Sequence, residues 1–358
     1  MTRGRRLFFA AGFLAALTVR AAYLERASMN PDVAAFADVV AILGRGGALY
    51  LETSRYNYSP LWAQILLALD AAARLLGCSL AVVLGAFLTV ADAATAALLH
   101  RLAGRGERGA AAALLFFANP VSVFASSFHL QFDNVAILFL VLALVAIEKV
   151  PPSRAGTVAA LSVSIIVKHF TIFFPPLFLE RRKRRGLRPV EALVPYAAFA
   201  AVFLPYARSW PAVRRSVFEY RGLAEDYGTT MLRKIPGAPD WLPMAVFLAA
   251  VAVAIVLLLR RGAEPARACL LLFLVMLLTI PGIVEYYFVW PIALGALFGG
   301  VGYVVYTLTV SAFFFGSPDG LNLPLTHLPG WHGVWWSVLL WIAWELRRLP
   351  ARAASLRA

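Results

Sequence analysis

Residues 128–134 read FHLQFDN, a stretch in which His129, Gln131, Asp133 and Asn134 stand together between two apolar runs. Four hydrogen-bonding side chains at a water-facing helix mouth suit recognition of a sugar or a headgroup. The competing reading is local: His129 and Asp133 are four apart, hence on one helix face, where they can pair with each other. Lys168 and His169 interrupt a second apolar run, AGTVAALSVSIIVKHFTIFFPPLFLE (155–180). A lysine there can snorkel, but two donors side by side at a helix break suit a lipid phosphate. Asp32 lies in SMNPDVAAFADVVAILGRGGALY, behind Asn30 as a cap and Pro31 as a first helical residue. The helix dipole alone favours an acid in that turn. Held at a membrane surface, the same carboxylate can also deprotonate an incoming hydroxyl as a general base.

Other polar residues carry weaker signals. Arg214, Arg215 and Arg221 fall in RRSVFEYRGLAEDYG, where a solvated charge run and a phosphate clamp for Arg214 and Arg215 both stay open. Glu285, in PGIVEYYFVWP, follows a Pro-Gly break and reads as an interfacial residue framed by aromatic rings. Asp92 sits inside an apolar run; packing against a partner helix is its ordinary role, and an intramembrane acid is also a transporter flag. Cys78 and Cys269 are the two cysteines and have no ligand spacing, so neither a disulfide framework nor a zinc site is indicated. Zinc-protease, phosphate-loop, GxSxG and dinucleotide motifs are absent from the sequence.

These residues must be held by helices in lipid. Of the 358 residues 61% are hydrophobic and the mean hydropathy is +0.76, which marks an all-α, multi-pass membrane protein. The net charge of +14 gathers in short runs between apolar segments, as topology signals do, so nucleic acid is not an expected partner. MTRGRR precedes an apolar stretch without a small-residue cleavage site, which is read as a span. Spans are expected at 7–24, 79–100, 109–127, 131–147, 189–205, 241–259, 266–280, 284–299, 301–315 and 331–346. Residues 60–76 are short for a bilayer and are placed in the interface, while 155–180 is read as two segments turning at Lys168-His169. That count of about 12 puts most of the 33 lysines and arginines, and both termini, in the cytoplasm. Asp32, Tyr58, His129, Asp133, Lys168, His169, loop 206–240 and Glu285 then share the external face. External loop 25–78 carries an amphipathic helix lying on the membrane, and residues 1–358 read as one domain.

The order of these pieces resembles a family. An acid in the first external loop is followed by YNYSPLW (56–62), HLQFDN, VKHFTIFFPP and FEYRGLAEDYG. This order is similar to that of the membrane-embedded GT-C glycosyltransferases, most of all the dolichyl-phosphate-glucose α-1,3-glucosyltransferases of the N-glycan precursor pathway, over about residues 28–290. The resemblance implies a GT-C-like bundle and inverting transfer of a hexose from a polyprenyl- or dolichyl-phosphate donor. The acceptor would be a hydroxyl of a lipid-linked glycan or glycolipid at the external or lumenal face. By the same resemblance, Asp32 is the catalytic base, while Lys168, His169 and Arg221 hold the donor phosphate. Tyr58, His129, Gln131, Asp133 and Glu285 line the sugar or acceptor site. No cofactor is implied; metal independence is favoured, with a divalent ion shared by Asp32 and Glu285 as the alternative. The chain departs from the family at Asn57 and Ser59, which replace an acid and a proline, and at Val284-Glu285-Tyr286, which reduces a His-Glu-Lys. Those departures leave glucose, mannose or another sugar open as donor. A short chain points to a prokaryotic plasma membrane, with the endoplasmic reticulum as the eukaryotic counterpart. The rival classes are a secondary transporter, which would show repeated halves, and a lipid-linked-sugar flippase, which would lack a base.

Overall fold

The structure, a computed structural model, describes residues 2–27, 31–149, 151–180, 186–220, 227–316 and 330–349. Asn30, expected as a cap, and Arg221, expected at the donor phosphate, lie outside the described residues. The chain groups into two compact units, Met1–Tyr220 and Arg221–Ala358. Among the described residues both are built of helices, with an isolated bridge between Leu179 and Leu187.

The first unit is organised around a buried apolar helix. Its α-helices begin with α1 (Arg3–Ala27), α2 (Pro31–Gly44), a short α3 (Leu49–Glu52), α4 (Pro60–Leu76) and α5 (Leu80–Leu102). They continue as α6 (Gly106–Phe117), α7 (Pro120–Val123), α8 (Asp133–Glu148), α9 (Arg154–Val167), α10 (Pro189–Ala201) and a short α11 (Trp210–Val213). Helix α8 is apolar on every side and packs against α5 and α9, so nearly all of its residues are buried. Ser164 ties α9 to it by donating to the Ala136 carbonyl at 2.7 Å.

Several runs that read as single spans are broken, and proline explains where. The stretch expected over 109–127 divides at Ala118-Asn119, and its two parts, Gly106–Phe117 and Pro120–Phe128, are bent by 47°. Pro120 has no N–H to continue the ladder, and Asn119 caps the second part by accepting the Val121 N–H at 2.9 Å. A second bent pair, Pro189–Ala201 with Leu204–Phe218, turns by 52° just before Pro205. The break expected at Lys168-His169 is present: α9 ends at Val167, Lys168 is extended, and 3-10 turns over His169–Phe173 and Pro175–Phe178 come next.

The second unit contains α12 (Leu242–Arg260), α13 (Pro265–Thr279), α14 (Ile292–Phe298), α15 (Val301–Gly316) and α16 (Trp331–Arg347). Buried α13 packs against α12 and α16. Trp341 fits against Gly295 and Gly302, where an added Cβ would approach the indole to 2.5 and 2.4 Å. Arg3–Leu24, Leu80–Leu102 and Leu242–Arg260 are long and apolar enough to cross a membrane, and the number rises to five if each bent pair crosses as one. Of the other runs in the expected count of about 12, two are the bent pairs, and α8, α13, α15 and α16 are single helices of 16, 15, 16 and 17 residues, shorter than the roughly 20 residues a bilayer asks for.

Aromatic packing sets the position of α2. Phe36, on α2, lies 6.2 Å from both Trp62 and Phe132, and Phe132 stacks on Trp62 with centroids 3.7 Å apart. All three rings are buried. Replacing Phe132 with Ala is therefore expected to cost about 3–5 kcal/mol of stability, read as a lowered unfolding midpoint in detergent, and to loosen α2 as well as α8.

Candidate functional site

The FHLQFDN segment is a turn between two helices. After α7 the backbone widens into a π turn, Phe124–Phe128, a form common at functional sites. The His129 N–H bonds the Phe124 carbonyl at 3.0 Å and the Gln131 N–H bonds the Ala125 carbonyl at 2.9 Å. Between them Leu130 takes φ +51°, a left-handed conformation that costs a leucine roughly 1–2 kcal/mol. Helix α8 then starts at Asp133. The expectation that His129 and Asp133 share one helix face is thus corrected, because His129 precedes the helix and the left-handed residue separates the two.

The turn sends successive polar side chains to different partners. Gln131 is fully buried, and its Nε2 donates to Oδ2 of Asp32 at 2.6 Å. Asp133, also fully buried, forms an ion pair with Nζ of Lys168. Asn134 reaches Oγ of Ser122 at 3.3 Å. Three segments far apart in sequence (the start of α2, the 129–134 turn and the end of α9) are thereby joined.

Aromatic rings line the Lys168 ammonium, which lies 4.8 Å from the Phe132 centroid and 5.1 Å from that of Tyr58. Tyr58 meets Phe132 edge-on at 4.7 Å. Its segment, YNYSPLW, is fixed by hydrogen bonds from Tyr50 to the Tyr58 carbonyl at 2.8 Å and from Tyr56 to the Ser59 carbonyl at 2.6 Å. Ser59 in turn donates to the Ile166 carbonyl, two residues before Lys168. The segment is thus fastened to the same helix end as the lysine.

Asp32 is part-buried at the first turn of α2. Burial raises its carboxyl above the ordinary value, and the Gln131 hydrogen bond and the charges of Lys168 and Arg55 pull the other way. A carboxylate moved up in this manner is a stronger base than a solvated one. His129 packs beside the stacked Phe124 and Phe128, with ring centroids 4.7 and 5.5 Å away, and burial pushes its imidazole down to about 4.

The remaining expected site residues are spread over both units. His169 begins a 3-10 turn beside Lys168, 6.3 Å from Phe199, and its Nδ1 is buried without a hydrogen-bond partner among the described residues. Glu285 opens a 3-10 turn, Glu285–Val289, in the second unit. Arg214 pairs with Glu219 at 3.1 Å and both are exposed, as in a solvated charge run. Among the described residues no group of three His, Cys, Asp or Glu could hold a metal ion.

The family model of Glycosyltransferase family 87 matches residues 56–281, more than half of the 358 residues. The chain belongs to glycosyltransferase family 87. It is therefore a glycosyltransferase, with a sugar donor and an acceptor as substrates. The match spans Tyr58, His129, Gln131, Asp133, Lys168 and His169, while Asp32 and Glu285 fall outside it. No curated protein and no solved structure matches the chain.

Two features of this glycosyltransferase are not evident from reading the sequence. One is the direct bond from Gln131 to Asp32. The other is Arg20, whose side chain is fully buried and pairs with Asp92 at 2.6 Å. A charge in the first apolar run was the available signal, since an intramembrane arginine needs a partner, and Asp92 was the matching acid.

The Asp133–Lys168 pair generates a test. Asp133→Ala leaves a buried ammonium without its counter-ion and is expected to cost about 3–5 kcal/mol. The double replacement Asp133→Leu with Lys168→Met is expected to recover most of that loss in a thermal unfolding assay. Recovery of stability without recovery of transfer would separate the pair's functional role from its structural one.

Proposed function

We propose that this family 87 glycosyltransferase is an inverting enzyme of the GT-C type that moves a hexose from a polyprenyl-phosphate-linked donor to a hydroxyl of a lipid-linked glycan or related acceptor. The observation that carries the reading is the junction of Asp32, Gln131, Asp133 and Lys168, one base and one cation brought together by a single turn. In this mechanism Asp32 takes the proton of the acceptor hydroxyl. The acceptor oxygen bonds to the anomeric carbon as the bond from that carbon to the phosphate oxygen breaks, and the electron pair leaves on the phosphate. Lys168, His169 and Arg221 are assigned to the charge that develops there. A phosphate leaving group needs cations more than a proton donor, so a base and a basic clamp suffice. Tyr58, His129, Gln131, Asp133 and Glu285 are assigned to sugar and acceptor.

The proposed topology has about 12 crossings, both termini in the cytoplasm and the site on the external or lumenal face, as the distribution of basic runs supports. A plasma-membrane location is the corresponding assignment for a prokaryotic chain. Glucose and mannose remain the donor sugars to compare, and no metal takes part in this mechanism.

Purified protein in nanodiscs, given a panel of radiolabelled polyprenyl-phosphate sugars and a crude lipid acceptor, is expected to form labelled glycolipid. Asp32→Asn is expected to lower the rate by about 10²–10⁴-fold. Full transfer by Asp32→Asn, or gradient-driven uptake with no product from any donor, would favour a transporter or flippase instead. The pH dependence has a fixed sign. The base works deprotonated and its carboxyl lies above 3.8, so kcat/KM is expected to fall as pH drops through that raised value and to stay level on the neutral side of it. An acid limb at or below 3.8 would contradict the assignment.

A further inference from the structure

Arg20 carries more hydrogen bonds than any packing role requires. From α1 its guanidinium donates Nε and Nη2 to the Phe117 carbonyl at 3.2 and 2.8 Å. It also donates Nη1 to Asp92 at 2.6 Å and to Ser126 at 2.7 Å, and Nη2 to Ser122 at 3.1 Å. Ser127 is a further acceptor at 3.3 Å. Every one of these side chains is buried.

The break between α6 and α7 explains the demand. In an unbroken helix the Phe117 carbonyl would accept the N–H of Val121, four residues on. Asn119 Oδ1 takes that N–H when it caps α7, which leaves a buried carbonyl that must be satisfied. The guanidinium satisfies it, and its planar fork reaches Ser122 and Ser126 on the far side of the 47° bend at the same time. A lysine, with one nitrogen, reaches fewer of these groups at once.

The candidate site lies directly beyond this bend. Ala125, within the clamped turn, accepts the Gln131 N–H at 2.9 Å, and Gln131 holds Asp32 at 2.6 Å. A second connection runs from Ser122 to Asn134 at 3.3 Å. We propose that Arg20 is a positioning residue for sugar transfer: by clamping residues 117–127 it fixes the turn that delivers Gln131 to Asp32. The proposal rests on the reading of Asp32 as base. Its chemistry is indirect, since Arg20 acts through the backbone of the turn.

The test uses the full chain and a probe that needs no sugar. Dicyclohexylcarbodiimide modifies protonated carboxyls, so the extent of Asp32 modification against pH, read by mass spectrometry, gives the midpoint of that group. The groups acting on Asp32 are Gln131, Lys168, Arg55 and Asp133, with Tyr220 also close enough to feel its charge. Removing the Gln131 hydrogen bond by Gln131→Ala is expected to raise the midpoint by about one pH unit. Arg20→Lys, which keeps the charge opposite Asp92, is expected to give at least half of that shift. Leu88→Ala on α5, a fully buried position outside the Arg20 hydrogen bonds, is expected to lower thermal stability and leave the midpoint in place. A wild-type midpoint in folded Arg20→Lys, or an equal shift in Leu88→Ala, overturns the proposal. Should Arg20→Lys fail to fold, Ser126→Ala takes its place, with a smaller upward shift expected and an unmoved midpoint overturning the clamp. Absence of transfer activity in the wild type would count against Asp32 as base and leave these midpoints readable.

Discussion

An unmade hydrogen bond in a low-dielectric interior costs about 1–3 kcal/mol and an unpaired charge costs more, so buried donors and charges draw partners to themselves. The turn from His129 to Asn134 places its polar side chains inside the first unit, and that constraint determines what surrounds it. Asp133 needs a cation, and Lys168 at the end of α9 supplies it. Gln131 needs an acceptor, and Asp32 at the start of α2 supplies it. The same requirement operates one layer deeper, where Arg20 satisfies a carbonyl freed by a proline break and Asp92 satisfies Arg20. The site is therefore continuous with a polar network in the helix core, and its geometry is inherited from helix breaks.

Those breaks are also why the sequence was legible in part. Apolar composition pointed to helices, of which three to five are long and apolar enough to cross a membrane, and proline with Lys168-His169 located the interruption of 155–180. Residue types singled out Asp32, the HLQFDN segment and Lys168 as a set, and the structure brings Asp32, Gln131, Asp133 and Lys168 together. Periodicity failed at His129, because a left-handed leucine is invisible to any pattern of hydrophobicity and breaks the four-residue spacing between His129 and Asp133. Arg20 is hidden for a different reason. Its role depends on a carbonyl orphaned by Asn119, a local event that only the folded backbone displays. Apolar content also says nothing about where a helix bends, and two of the expected spans are bent pairs, by 47° and 52°.

Membership of glycosyltransferase family 87 is consistent with this economy of parts. Among the described residues the chain is helical, with one isolated bridge, and the proposed lipid-phosphate leaving group would ask little of the protein beyond a base and nearby positive charge. The rings of Tyr58 and Phe132 lie against Lys168, and the YNYSPLW segment ties Tyr58 to the end of α9 through Ser59. Asp32, Lys168 and the rings are thus set by one packed cluster.

For that cluster to perform the proposed transfer, a polyprenyl phosphate headgroup must enter it. A polyprenyl phosphate bearing a photoreactive diazirine beside its phosphate, cross-linked to the protein in nanodiscs and mapped by peptide mass spectrometry, addresses this directly. Labelled peptides are expected from residues 31–44, 129–134 and 166–171, competed away by unlabelled polyprenyl phosphate. Labelling confined to other segments, such as the apolar groove lined by Phe13, Ala93 and Phe117, would contradict entry of the headgroup into the cluster.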